Sequence, residues 1–186
     1  MTSSLLFWVI LAVLVFWAVG AYNRLVRLRS EANGAFASLD GEFGKQLALV
    51  QSCVPPEDEH AQSQFEGGSA FWAGLQGAAM QFSASLHAAR ARPLDPERMA
   101  ALGAAHEVFA MAWDRAVRDD AHDLAGPRLP EDISSEREQL ARLAAGAIER
   151  FNEAVARYNE AIAQFPASLL AWLFGFKSAR GLRARV

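Results

Sequence analysis

The residues of this chain that carry reactive or metal-binding groups are few and scattered: four histidines, His60, His87, His106 and His122, one cysteine, Cys53, and two short acidic clusters. A zinc hydrolase needs two histidines four apart on one helix face with a glutamate beside them, and His106 with Glu107 lacks the second histidine. His106 instead falls on the apolar stripe of its segment, the place of a packed core histidine, with a metal-ligand or acid–base role as the rival reading. Asp119, Asp120, His122 and Asp123 lie within five positions and could offer oxygen ligands to a divalent cation, or simply solvate a helix end. Glu57, Asp58, Glu59 and His60 read as a solvated loop. Cys53 has no partner for a disulfide and no neighbouring histidine to activate it. Gly67 and Gly68 precede a helix without the lysine and hydroxyl residue of a nucleotide loop. These patterns predict no enzyme, no cofactor and no metal.

What must position these residues begins with Leu5 to Tyr22, LLFWVILAVLVFWAVGAY, eighteen uncharged positions. As a helix they span roughly 27 Å, near the thickness of a bilayer's hydrocarbon core, and predict a transmembrane anchor over about 5–22. A cleaved signal peptide is the rival, disfavoured by the uncharged MTSS start and the length of the apolar run. Arg24, Arg27 and Arg29 follow the run and nothing basic precedes it, so the expected orientation puts the N-terminus outside and the rest in the cytoplasm. Lys177, Arg180, Arg183 and Arg185 make the other end basic, which leaves 11 basic against 21 acidic residues between, about −10. Basic ends suit an anionic membrane surface, and an acidic body excludes nucleic acid as a ligand.

Beyond the anchor the chain reads as helices. Leu25, Leu28, Ala32, Ala35, Leu39, Phe43, Leu47, Val50 and Val54 step by threes and fours until Pro55 and Pro56 stop them. A second stripe, Phe71, Trp72, Leu75, Ala79, Phe82, Leu86 and Ala89, predicts a helix from about Ser69 to Arg92. Asp95 can cap a third that starts at Pro96, runs to about His122 and carries Met99, Leu102, His106, Phe109, Trp113 and Val117. Ser135 and Glu138 predict a capping box for a fourth, with Leu140, Ala144, Ala147, Phe151, Val155, Tyr158, Ile162 and Phe165 inward and Pro166 as its end. The predicted fold class is all-α: residues 1–22 an anchor, 23–166 an antiparallel up-and-down four-helix bundle, and 167–186 an apolar and basic tail. An even number of helices returns the chain to the membrane. The tail ASLLAWLFGF is too short to cross, so Trp172, Phe174, Phe176, Lys177 and Arg180 either lie in the interface or cap the base of the bundle.

Residues 22–43, YNRLVRLRSEANGAFASLDGEF, directly after an anchor, resemble the start of the LemA family, and residues 150–177, RFNEAVARYNEAIAQFPASLLAWLFGFK, resemble its end. Tyr22, Asn23, Asp40, Phe151, Tyr158, Asn159, Phe165, Pro166 and Gly175 carry the likeness, which covers roughly a quarter of the chain. After Asp40 the chain has GEFGKQLALVQSC in place of the family's basic run, so the resemblance is to a divergent member. It implies a single-pass protein of the bacterial inner membrane with a cytoplasmic helical bundle and no assigned enzymatic activity. It also implies a membrane-bound zinc protease or envelope stress as a functional setting.

The expected function is therefore a non-enzymatic interaction or scaffold module. A membrane-shaping or lipid-sensing role stands as the alternative, and a metal enzyme comes third. The lipid bilayer is the expected partner, and the sequence leaves the oligomeric state open. Asn152, Asn159 and Gln164 in the last helix serve either internal bonds or a contact surface.

Overall fold

The computed structural model describes residues 2–53, 66–121, 132–165 and 167–182, and, within these, no side chains for 2–5, 66–72, 120 and 121. Among the described residues it contains five helices and no strand: α1 (Thr2–Cys53), α2 (Glu66–Ala91), α3 (Pro96–Ala121), α4 (Ile133–Ala163) and α5 (Ala167–Leu173). Val54, the 57–60 acidic run, His122, Asp123 and Pro166 lie outside the described residues, as do the side chains of Phe71, Trp72 and Asp120.

The first helix is continuous for 52 residues, with no break where the apolar run gives way to the amphipathic stripe. No proline interrupts it, so every internal amide keeps its carbonyl partner four residues back. Over Leu6–Val19 its large apolar side chains are exposed all round. It is the one described helix long and apolar enough to cross a membrane. From Leu25 onward the same helix buries one face: Leu25, Leu28, Ala32, Phe36, Leu39, Phe43, Gln46, Leu49, Val50 and Cys53. That stripe differs from the expected one at three steps. Phe36 and Leu49 are buried beside Ala35 and Leu47, which pack on the core half-buried, and the polar Gln46 lies inward as well.

The core forms where α1 meets α4 along its length and α2 meets α3, with further contact between α1 and α2. Phe36 meets Phe151 edge-on at 5.9 Å, Phe43 meets Phe82 at 5.0 Å, and Phe82 stacks on Phe109 at 5.0 Å. Aromatic pairs at these separations hold relative orientation as well as burying area. Toward the far end, Gln46 Nε2 donates to the Leu140 carbonyl at 3.4 Å and Arg137 pairs with Asp114. Nearer the anchor, Arg90 pairs with Asp40 at 2.7 Å.

The turn between α2 and α3 follows the expected chemistry: Asp95 Oδ1 accepts from the amides of Glu97 at 3.0 Å and Arg98 at 3.2 Å, closing two of the four free donors. The start of α4 does not. The helix begins at Ile133, two residues before Ser135, with Asp132 at the cap and no side-chain cap bond. Ser135 is already inside the first turn, where its hydroxyl donates to the Asp132 carbonyl at 2.8 Å, so the expected box with Glu138 does not form. At the other end α4 stops at Ala163, and Gln164 is extended. Phe165 precedes a proline, which disfavours helical backbone there, and it stands 85% exposed instead of closing the apolar stripe.

Candidate functional site

Side chains with chemical character gather at the base, where α1 leaves its apolar segment, and in a cleft higher up between α1, α3 and α4.

At the base, the end of α4 and the start of α5 lie beside α1, where Trp17, Gly20, Ala21, Arg24 and Leu25 face Ala161, Gln164, Phe165 and Ala167. The short α5 buries Ala171 and turns Leu169, Trp172 and Leu173 outward, Trp172 at 79% exposure. It closes with Gly175 at φ 69°. There the Phe176 amide donates to the Ala171 carbonyl at 2.8 Å and the Gly175 amide to the Trp172 carbonyl at 3.4 Å, the paired bonds that end a helix on a left-handed residue. A side chain at 175 would strain that turn. The turn sends Phe176 back under α1. Tyr22 contacts the rings of Phe174 at 4.9 Å and Phe176 at 6.0 Å, and the Arg29 guanidinium lies 6.0 Å from the Phe176 centroid. Tyr22, the last residue of the apolar run, and Arg29, one of the three arginines after it, thus hold the tail. Arg27 pairs with Glu31 at 3.6 Å on the exposed face, and Asn23 and Arg24 are exposed.

Beyond Phe176 the chain runs without regular structure along α4, fastened by three side chains. The Tyr158 hydroxyl donates to the Lys177 carbonyl at 3.0 Å. Asn159 accepts from the Ala179 amide and donates to the Ala179 carbonyl, both at 2.8 Å. Asn152 does the same to Leu182, at 2.8 and 2.7 Å. The spacing follows from geometry: seven helical residues rise about 10.5 Å, and three extended residues cover about 10 Å. Ala179 and Leu182 are buried, while Lys177 and Arg180 are exposed. Gly181 is required, because a β-carbon there would collide with the Asn152 side-chain oxygen. The tail therefore divides: 169–174 presents apolar side chains outward, and 176–182 packs on the helices. The two asparagines make internal bonds, whereas the Gln164 side-chain amide donates to exposed Glu160, at 3.2 Å. The pairing could be suspected only from two asparagines seven apart on one helix face.

The cleft occupies about 300 Å³ and is lined by Gln46, Leu49, His106, Phe109, Trp113, Leu140, Ala141, Ala144, Ala145 and Ile148, with Asp114 and Arg137 at its edge. It exists because α4 presents three alanines opposite the large rings of α3. His106 lies against Phe43 at 4.7 Å and Phe82 at 5.3 Å, and this apolar setting pushes its pKa below the ordinary histidine value, with nearby Glu107 opposing in part. The ring is thus neutral at physiological pH. Burial raises the Cys53 thiol above its usual range, helped by Glu136 and Asp132 against a lowering bond from Ser52, which leaves it protonated and unreactive. Burial likewise raises Tyr158, with Arg29 opposing.

Asp119 pairs with Arg115 at 3.6 Å on an exposed face. Among the described residues no three histidine, cysteine or acidic side chains converge as a metal site. No protein-family model, no curated protein and no solved structure matches the chain.

Proposed function

We propose that the chain is a single-pass, LemA-type protein of the bacterial inner membrane whose cytoplasmic body is a non-enzymatic interaction or scaffold module. In this reading residues 5–22 cross the bilayer with the N-terminus outside. Residues 23–53 of α1 join α2, α3 and α4 in an antiparallel up-and-down bundle. The contact pairs support that arrangement: Asp40 with Arg90 and Phe43 with Phe82, then Phe36 with Phe151 and Gln46 with Leu140, run in opposite numerical directions.

The observation that carries the proposal is the unbroken α1, apolar and exposed over its first third and the spine of the core over the rest. A helix apolar on every side finds favourable surroundings in lipid, and the same rod then fixes the body at a set height above it. The exposed apolar residues of α5 lie beside the end of the apolar run, the level at which tryptophan and basic flanks favour a membrane interface. This position supports the second reading, a membrane-surface or lipid-sensing role beside a membrane-bound zinc protease.

Two measurements test the proposal. A fluorescent-protein fusion after Val186 should fluoresce and an alkaline phosphatase fusion there should be inactive; the reverse pattern refutes the orientation. Proximity labelling from the full chain should enrich a small set of membrane proteins relative to residues 1–29 fused to the same labelling enzyme. Identical sets from the two would refute the interaction module.

A further inference from the structure

Near the base, α1, the turn between α2 and α3, and the bend of the tail enclose a hollow of about 470 Å³. Arg29, Arg92 and Lys177 line it, together with Asp95, Tyr158 and Phe176. The three basic residues come from separate parts of the chain and meet because α2 returns toward the anchor before α3 begins. All three are exposed, and among the described residues none of their side chains has an ion pair or a hydrogen bond. Other exposed arginines do reach an acid: Arg27 pairs with Glu31, Arg115 with Asp119, and Arg142 with Glu138. Asp95 is the one carboxylate in the lining, and its Oδ1 already accepts from the Glu97 and Arg98 amides. Three positive charges against one negative leave the hollow at +2. Like charges gathered without a counter-charge repel one another, and an anion seated among them relieves that repulsion.

The height of the hollow selects the anion. Tyr22 ends the apolar run, and Arg29, seven residues on, stands about 10.5 Å beyond it along the helix. Side chains on a helix lean toward its N-terminus, here back toward the lipid. The Arg29 guanidinium accordingly lies 6.0 Å from the centroid of Phe176, a ring that itself touches Tyr22. The headgroup layer reaches roughly 5–8 Å past the hydrocarbon, so this charge falls at the level of lipid phosphates. Leu173 and Phe174, exposed just before the bend, offer an acyl chain a path toward the apolar part of α1. A free phosphate would make no use of them.

We propose that this hollow binds the phosphate of an anionic phospholipid, held by Arg29, Arg92 and Lys177, with the acyl chains passing Phe174 toward the membrane segment. The proposal rests on the reading of residues 5–22 as membrane-spanning.

The test uses the full chain in a neutral detergent, titrated with palmitoyl-oleoyl phosphatidylglycerol or phosphatidylcholine, with bound lipid counted by native mass spectrometry. The two lipids share a phosphate, but choline cancels its charge. The first phosphatidylglycerol should bind at least tenfold more tightly than phosphatidylcholine. In Arg92→Gln with Lys177→Gln, which changes exposed side chains without protein partners, that preference should fall to within threefold. A charge-matched control, Arg118→Gln with Arg150→Gln, should keep it. Millimolar glycerol phosphate, the free headgroup, should not displace the lipid. A preference that survives Arg92→Gln with Lys177→Gln, an equal loss in the control, or displacement by glycerol phosphate would each overturn the proposal alone. The same preparations, reconstituted in phosphatidylcholine liposomes, should float with the lipid whether or not the hollow is altered. A chain that does not float would overturn the membrane reading, and the lipid site with it.

Discussion

Replacing Asn159 with alanine should release the C-terminal segment while leaving α4 intact. The side chain makes two bonds of 2.8 Å, one to each backbone polar group of Ala179, from a position where the tail covers it. At about 1 kcal/mol net per bond, the loss is about 2 kcal/mol, or roughly a thirtyfold rise in the population with the tail lifted. Alanine favours helix over asparagine, so α4 should gain slightly in the exchange. Lys177 and Arg180 give trypsin two sites within the fastened stretch, exposed as side chains but held along α4 by their backbone neighbours. Under conditions where reclosing outpaces cleavage, the cutting rate reports the open fraction. Cleavage after Lys177 should therefore accelerate by between ten- and a hundredfold in Asn159→Ala, with the helical circular dichroism unchanged. Gly181→Ala should act in the same direction by pushing against Asn152. The double variant Asn152→Ala with Asn159→Ala should fall short of the product of the single effects, because a tail already lifted has nothing more to lose. Wild-type cleavage rates in Asn159→Ala would refute the assignment of these bonds as the fastening.

Two further outcomes follow from the core. His106 has a folded-state pKa below the roughly 6.5 of an unfolded chain. Its contribution to stability is therefore complete above that value and is lost as the pH falls from there toward the folded pKa, when the unfolded state takes up the proton first. The drop in melting temperature between pH 7 and pH 5 should be smaller in His106→Phe, and an equal drop would show that this ring carries no such linkage. Phe151, fully buried against Phe36, should cost about 3–5 kcal/mol when replaced by alanine, read from denaturant or thermal unfolding.

The helices were legible because their signals are local. Prolines and period-three-and-four stripes locate Pro96 and the end of α1 to within a residue, and the Asp95 cap needs only the next three residues. Where two local signals compete, spacing misleads: Ser135 has the pattern of a cap, but the helix starts earlier, at Ile133, which is buried. Gln46 interrupts the apolar stripe, and a polar residue three beyond Phe43 on an inward face is the local trace of the cleft. The cleft itself depends on three alanines of one helix meeting the rings of another, and no stretch of sequence contains both. The tail's course was hidden for the same reason, since Asn152 and Leu182 are thirty positions apart and meet only after a glycine turn.

The uninterrupted α1 makes the molecule a lever. Some 45 Å of the rod lies beyond Tyr22, so leaning its apolar end by about ten degrees swings the Cys53 end sideways by roughly 8 Å. Surroundings that alter the slant of the first third would in this way reposition the distant tip without bending any joint, much as a mast reports the roll of its hull.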